Sequence, residues 1–294
     1  MRVSTPYQFE SYSSAIRKSQ AEYFRVQQQV TTGKKFQYSS EDPLSASLSM
    51  SARSLKGRFE QYDKNLRGAK DYMQRGEQSM GEIATVLNQA NVLAIQASSS
   101  SLDSNALQSL ATQITSLQET LVRHANAQGA GGQYIYAGHK TDTKPFTVAA
   151  GVLTFNGDTN AIRAEVRSGE QMQINLQGAD TLVADIYTAL EDLKTRVQAG
   201  DTINISGVSL EEIQGLHDQV SGVRAELGNK LQTIEALSSE NTRRTDDLTK
   251  EISDHEEVDL ADALTRYQQA ETAYSAALQM ASRGMQLSLM DFMR

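Results

Sequence analysis

The chain contains no cysteine, which removes both a disulfide framework and any thiolate metal site. It contains no tryptophan and only 6% aromatic residues, too few to build one thick globular core from a chain of 294 residues. Prolines number only three, and each falls outside a periodic segment: Pro6 before the first helical pattern, Pro43 after a capping Asp42, and Pro145 in a central loop. The net charge is −8, and no basic run exceeds Lys34-Lys35 or Arg243-Arg244. This excludes the basic footprint that nucleic acid or an anionic membrane surface requires. No run of about 18 apolar residues is present, and the opening Met1-Arg2-Val3-Ser4-Thr5-Pro6-Tyr7 has no apolar signal region. A route out of the cytoplasm without a cleaved signal peptide is therefore the expectation.

What the chain does contain is helical periodicity. Phe9, Tyr12, Ile16, Tyr23, Val26 and Val30 step by threes and fours, with Ser19 the polar member of the seam, until Thr31-Thr32-Gly33 stops the pattern. From Leu55 through Phe59, Tyr62, Leu66, Ala69, Met73, Gly76, Met80, Ile83, Leu87, Ala90 and Ala94 to Ala97 the alternation does not slip. With its lead-in from Pro43 this predicts a helix roughly 80 Å long at about 1.5 Å per residue. Gly57, Gly68, Gly76 and Gly81 each weaken it by about 1 kcal/mol relative to Ala, and Gly76, on the seam, suggests one close helix approach. A third helix runs from Leu107 through Leu121 to Ala125 and stops at Gly129-Ala130-Gly131-Gly132.

The character then changes. Tyr134–Ala137, Val152–Phe155, Ala161–Val166 and Met172–Leu176 are short strand-like runs between Gly, Asn and Asp turns. Helical spacing returns at Leu182, Ile186, Leu190, Leu193 and Val197, breaks over Gly200–Gly207, and resumes near Ser209. The last stripe comprises Leu260, Leu264, Tyr267, Tyr274, Leu278, Ala281, Met285 and Leu289, with Glu271 its polar exception. The fold class expected is mainly α with a small β-rich central domain: an elongated antiparallel helical rod with coiled-coil-like N- and C-terminal helices. Its segments are residues 1–42 (first helix and turn), 43–132 (outgoing helices), 133–180 (β-rich outer domain), 181–208 (helix and loop completing it), 209–258 (returning helix) and 259–294 (last helix). The stretch 133–198 is expected to face outward and to tolerate replacement by a linker.

No chemistry-bearing constellation emerges. His255-Glu256-Glu257-Val258-Asp259 approaches the helical His-Glu-x-x-His zinc motif, but Asp259 stands where the second His belongs, so a solvated acidic helix junction is the simpler account. His124, His139 and His217 lack partners at motif spacing, and Gly129-Ala130-Gly131-Gly132 lacks the Lys of a phosphate loop. No catalytic, cofactor-binding or metal residue is assigned, and no enzyme activity is expected.

The two ends do carry a resemblance. Thr32-Gly33-Lys34-Lys35 followed by Glu41-Asp42-Pro43 resembles the turn after the first helix of the flagellin family. Asp259-Leu260-Ala261-Asp262-Ala263-Leu264 and Gln286–Met293 resemble that family's last helix. Arg2-Val3-Ser4-Thr5 and Gly132–Gly138, running on to Lys144-Pro145-Phe146, look like its hook-associated protein 3 branch, found at the hook–filament junction. The resemblance implies an extracellular structural subunit of the bacterial flagellum with no cofactor. It implies head-to-tail self-assembly, hook-associated protein 1 on the hook side, flagellin on the filament side, and an export chaperone before secretion. The assembly interface it implies is Phe9, Tyr12, Ile16, Tyr23, Val26, Val30, Leu260, Leu264, Tyr267, Tyr274, Leu278, Met285, Leu289 and Phe292. Three alternatives remain open at this stage: a short filament flagellin, a coiled-coil adaptor or secreted interaction protein without a flagellar role, and terminal seams that are satisfied inside the monomer's own bundle.

Overall fold

The structure, a computed structural model, describes residues 5–99, 103–129 and 131–292, with the side chains of Thr5, Pro6, Gln8 and 284–292 outside that description. The elements in chain order are α1 (Thr5–Thr32), α2 (Pro43–Ala97), α3 (Ser104–Ala125), β1 (Phe146–Ala149), β2 (Val152–Phe155), β3 (Arg163–Arg167), β4 (Glu170–Gln173), α4 (Ala179–Ala199), α5 (Thr202–Asn204), a π-helical turn (Ile205–Ser209), α6 (Leu210–Glu256) and α7 (Leu260–Phe292). The molecule is mainly α with two small antiparallel sheets, β1–β2 and β3–β4. It divides into one unit of residues 1–58 with 244–294, and another of 59–243.

In the second unit the predicted α2 seam is the core from Leu66 onward, whereas Leu55, its predicted first member, is exposed. Leu66, Ala69, Met73, Met80, Ile83, Leu87, Ala90, Ala94 and Ala97 are all buried. They are joined by Leu110, Ile114 and Leu121 of α3, by Val183, Ile186, Leu190 and Leu193 of α4, and by Ile213 and Val220 of α6. Asp103 starts α3 by accepting from the Ala106 amide at 2.8 Å, and Gly200, left-handed at φ 67, ends α4. Helical backbone resumes at Thr202, earlier than the glycines at 200 and 207 suggest. The π turn absorbs Gly207 and buries Ile205.

Two expectations need correction. Tyr134–Ala137 is not a strand. Ile135, Tyr136 and Ala137 are buried consecutively, a demand that the alternating faces of a hairpin strand cannot meet, so the chain turns instead. The Tyr136 hydroxyl donates to the Gly76 carbonyl (3.3 Å), and the Tyr72 hydroxyl donates to the Ile135 carbonyl. The extra strand is β1, which pairs with β2 in the register Phe146↔Phe155 and buries Phe146 completely. Gly76 also makes no unusually close helix contact. A Cβ there would sit 3.7 Å from Leu176 and 3.9 Å from Leu227, which is ordinary packing.

Both hairpins aim apolar residues at the helices. The β1–β2 turn uses Ala150 (φ 51) and Gly151 (φ 79), the two left-handed residues of a type I′ connection. In β3–β4 the register shifts between Glu165 and Arg167. That bulge turns Val166 into a second cluster with Leu66, Leu227 and Ile234.

Candidate assembly surface

All of the expected assembly residues belong to the unit of residues 1–58 and 244–294. Inside it α1 packs along α7. From Ile16 onward the α1 seam is the predicted one: Val26 is buried, and Ile16, Ser19, Tyr23 and Val30 are half-buried. Tyr23 carries most of the specific contact. Its hydroxyl lies 3.0 Å from that of Tyr267, and its ring stacks on Tyr274 at a centroid distance of 5.8 Å.

The face that α7 turns to α1 differs from expectation. The buried positions are Ala263, Ala270 and Ala281, interleaved with half-buried Tyr267, Tyr274 and Ala277. Small alanines let the helices approach while the tyrosines fill the remaining space. The leucines expected in this seam, Leu260, Leu264 and Leu278, lie to one side and stay 53%, 49% and 44% exposed. On α1, Phe9 and Tyr12 are likewise exposed, together with Tyr7 and Phe24. Met285, Leu289 and Phe292 lie where side chains are outside the described residues.

The turn after α1 is fixed from both ends of the chain. The Val258 amide donates to the Gly33 carbonyl (2.9 Å), the Lys35 amide donates to the Glu256 carbonyl (2.6 Å), and the Lys35 ammonium donates to the Asp254 carbonyl (2.5 Å). Gly33 is left-handed at φ 70, as a helix stop there requires. Asp42 then starts α2 by accepting from the Ser45 amide at 3.0 Å, a bond that also holds the Asp42 carboxyl below its ordinary pKa.

Glu256 is the centre of this arrangement, although its motif in the sequence points only to a solvated acidic junction. Its carboxylate accepts from the Arg53 guanidinium at 3.0 and 2.6 Å and from the Ser49 hydroxyl, with the Lys34 ammonium 3.6 Å away. Hydrogen bonding from Arg53, then from Ser49, and the nearby positive charge outweigh the cost of burial and hold its pKa at about 2. The junction His255–Asp259 is therefore not simply solvated acid. One carboxylate ties three segments together, while Asp259 caps α7 by accepting from the Ala261 amide at 2.9 Å. Among the described residues no group of His, Asp or Glu is arranged to hold a metal ion, and no helix is long and apolar enough to cross a membrane.

The bacterial flagellin N-terminal helical region matches residues 3–141, which run from the tethered first helix through the Tyr136 turn. Flagellar hook-associated protein 3 of Escherichia coli K12 is 28% identical over 94% of this chain and 95% of its own length. Over residues 3–141 the chain is similar to the flagellin family. Its similarity to hook-associated protein 3 runs through both ends and the middle, beyond the N-terminal region that the family model matches. Among solved structures, a putative flagellar hook-associated protein from Vibrio parahaemolyticus aligns with TM-score 0.63 at 18% identity, covering 74% of this chain and all of that one. The flagellar junction protein FlgL of Legionella pneumophila aligns with TM-score 0.55 at 13% identity, covering 71% of this chain and all of that one. Those two likenesses establish the fold. The flagellin-like turn Thr32–Pro43 thus acquires a physical role here, as the loop through which Lys34, Lys35 and Asp42 hold α1, α2 and the end of α6.

Proposed function

We propose that this chain forms the junction between flagellar hook and filament, assembling through α1 and α7 with further copies of itself. The observation that carries the reading is the apolar surface left over once α1 and α7 have paired. Phe9, Tyr12, Leu260, Leu264 and Leu278 remain exposed on two helices whose mutual seam is already filled by Tyr23, Val26, Tyr267 and the alanines. A face of that kind, on paired helices, requires further helices to cover it. Repeated head-to-tail contact between copies builds helical or ring assemblies rather than closed dimers.

The names of the relatives support the location: a hook-associated protein and a junction protein. On this reading the hook-side neighbour is hook-associated protein 1, the filament-side neighbour is flagellin, and an export chaperone covers the exposed helices before secretion. The subunit then works outside the cell and performs no catalytic step.

Removal of residues 260–294 tests the assembly role. The shortened chain should stay soluble and helical yet be absent from flagella, and normal flagella built from it would refute the reading. Immunogold microscopy with an antibody to residues 133–198 tests location. A single band between hook and filament is the expected result, and label along the whole filament would make the chain a filament flagellin.

A further inference from the structure

We infer that a second copy of this chain covers an exposed leucine row at the start of α2 with the leucine row of its own α7. This rests on the assembly reading above and specifies which faces meet. On α2, Leu44, Leu48 and Leu55 are 72%, 40% and 45% exposed, while Ala46, Ser49 and Ala52, which centre on a different face of the same turns, are buried. Three leucines at heptad spacing in solvent form a seam without its partner helix. The chain's own α7 is held along α1 by Tyr23, Tyr267 and Tyr274, and it leaves this seam exposed.

The row on α7 has the same spacing. Leu44, Leu48 and Leu55 match Leu260, Leu264 and Glu271, followed by Leu278. Charge complements the match. Pro43–Arg58 carries Arg53, Lys56 and Arg58 and no acidic residue, whereas Glu257–Glu271 carries Glu257, Asp259, Asp262 and Glu271 against Arg266 alone. Arg53 is committed to Glu256, and Arg266 to Asp262 at 2.6 Å. Arg58 and Glu271 are both exposed on the margin of or within their leucine rows. With the rows laid side by side, Leu44 against Leu260, Arg58 falls one helical turn from Glu271. A symmetric contact between two α2 rows would oppose basic stretches, so complementarity selects the heterologous, head-to-tail pairing.

Reversing the two charges tests this in the full-length chain expressed in flagellated cells, with incorporation read by immunoblot of purified flagella. Arg58→Glu or Glu271→Arg alone should lower incorporation by about tenfold, and the double variant should restore it, because an opposite-charge contact is re-formed with its polarity exchanged. Circular dichroism of the purified variants confirms that the monomers fold. Three variants that all incorporate normally, or a double variant no better than the singles, overturn the pairing. The assembly reading itself would fail only if the chain lacking residues 260–294 were also incorporated.

The absence of native cysteine allows a second measurement. Flagella built from a Leu48→Cys, Leu264→Cys chain should give, on oxidation, a ladder of covalent multimers. Monomers alone, or an adduct with a different flagellar protein, would overturn the proposal.

Discussion

Glu256 accepts hydrogen bonds from Arg53 and Ser49 with Lys34 close by, so its ionised form stabilises the fold and its protonated form does not. Its folded pKa of about 2 lies below the ordinary 4.5, so the contribution is complete above pH 4.5 and is lost as pH falls toward about 2. Glu256→Gln should destabilise the chain by roughly 1.5–3 kcal/mol at neutral pH, the range for hydrogen bonds to a charged group. Urea denaturation would measure that loss, and acid titration of helicity should show a flattened transition in the variant. At Ala150 the backbone is left-handed, which costs a residue with a Cβ roughly 1–2 kcal/mol. Ala150→Gly should therefore raise the thermal midpoint. Gly138→Ala should lower it sharply, because a Cβ at that left-handed position meets the Asp158 backbone and carboxylate.

Among the elements, α7 shows most clearly how a periodic pattern can be read one stripe to the side. Leucines outrank alanines in any hydrophobicity count, so Leu260, Leu264 and Leu278 looked like the seam. Yet α1 offers bulky Tyr23 and Val26, and two helices carrying large residues on both faces could not approach as closely as Ala263, Ala270 and Ala281 permit. Ala270→Leu should overpack that seam and destabilise it by about 1–3 kcal/mol, seen as lower helicity on heating. Leu264→Ala should leave monomer stability unchanged to within about 0.5 kcal/mol, as is usual for exposed positions, while weakening incorporation into flagella. A seam carried by the leucines would reverse both outcomes.

For the whole molecule, the stretch 133–198 has a larger part in stability than its sequence suggests. Tyr136, Phe146, Val183, Ile186 and Leu190 belong to the same buried cluster as the α2 and α3 seams. Replacing all of it by a linker would expose that core, so the expected result is an insoluble or degraded protein rather than a tolerant one. One part that faces solvent is the β1–β2 turn, where Val148 and Val152 are exposed. Inserting a short epitope between Ala150 and Gly151 should leave folding intact, as judged by circular dichroism.

The sequence by itself determined which long segments are helical and, for α1 from Ile16 to Val30 and α2 from Leu66 to Ala97, which face is buried. Those features follow from local rules: capping by Asp42 and Asp103, left-handed glycines at 33 and 200, and an unbroken spacing of threes and fours. The family motifs at the two ends were equally legible, since they are runs of specific residues. Only the tertiary structure decided that alanines rather than leucines accompany the tyrosines in joining α7 to α1, that Tyr134–Ala137 makes a single bridge and a turn rather than a strand, and that Glu256 joins residues more than 200 positions apart. Each of these depends on which surfaces meet across long separations in sequence, and periodicity within one segment carries no information about its partner's size or charge.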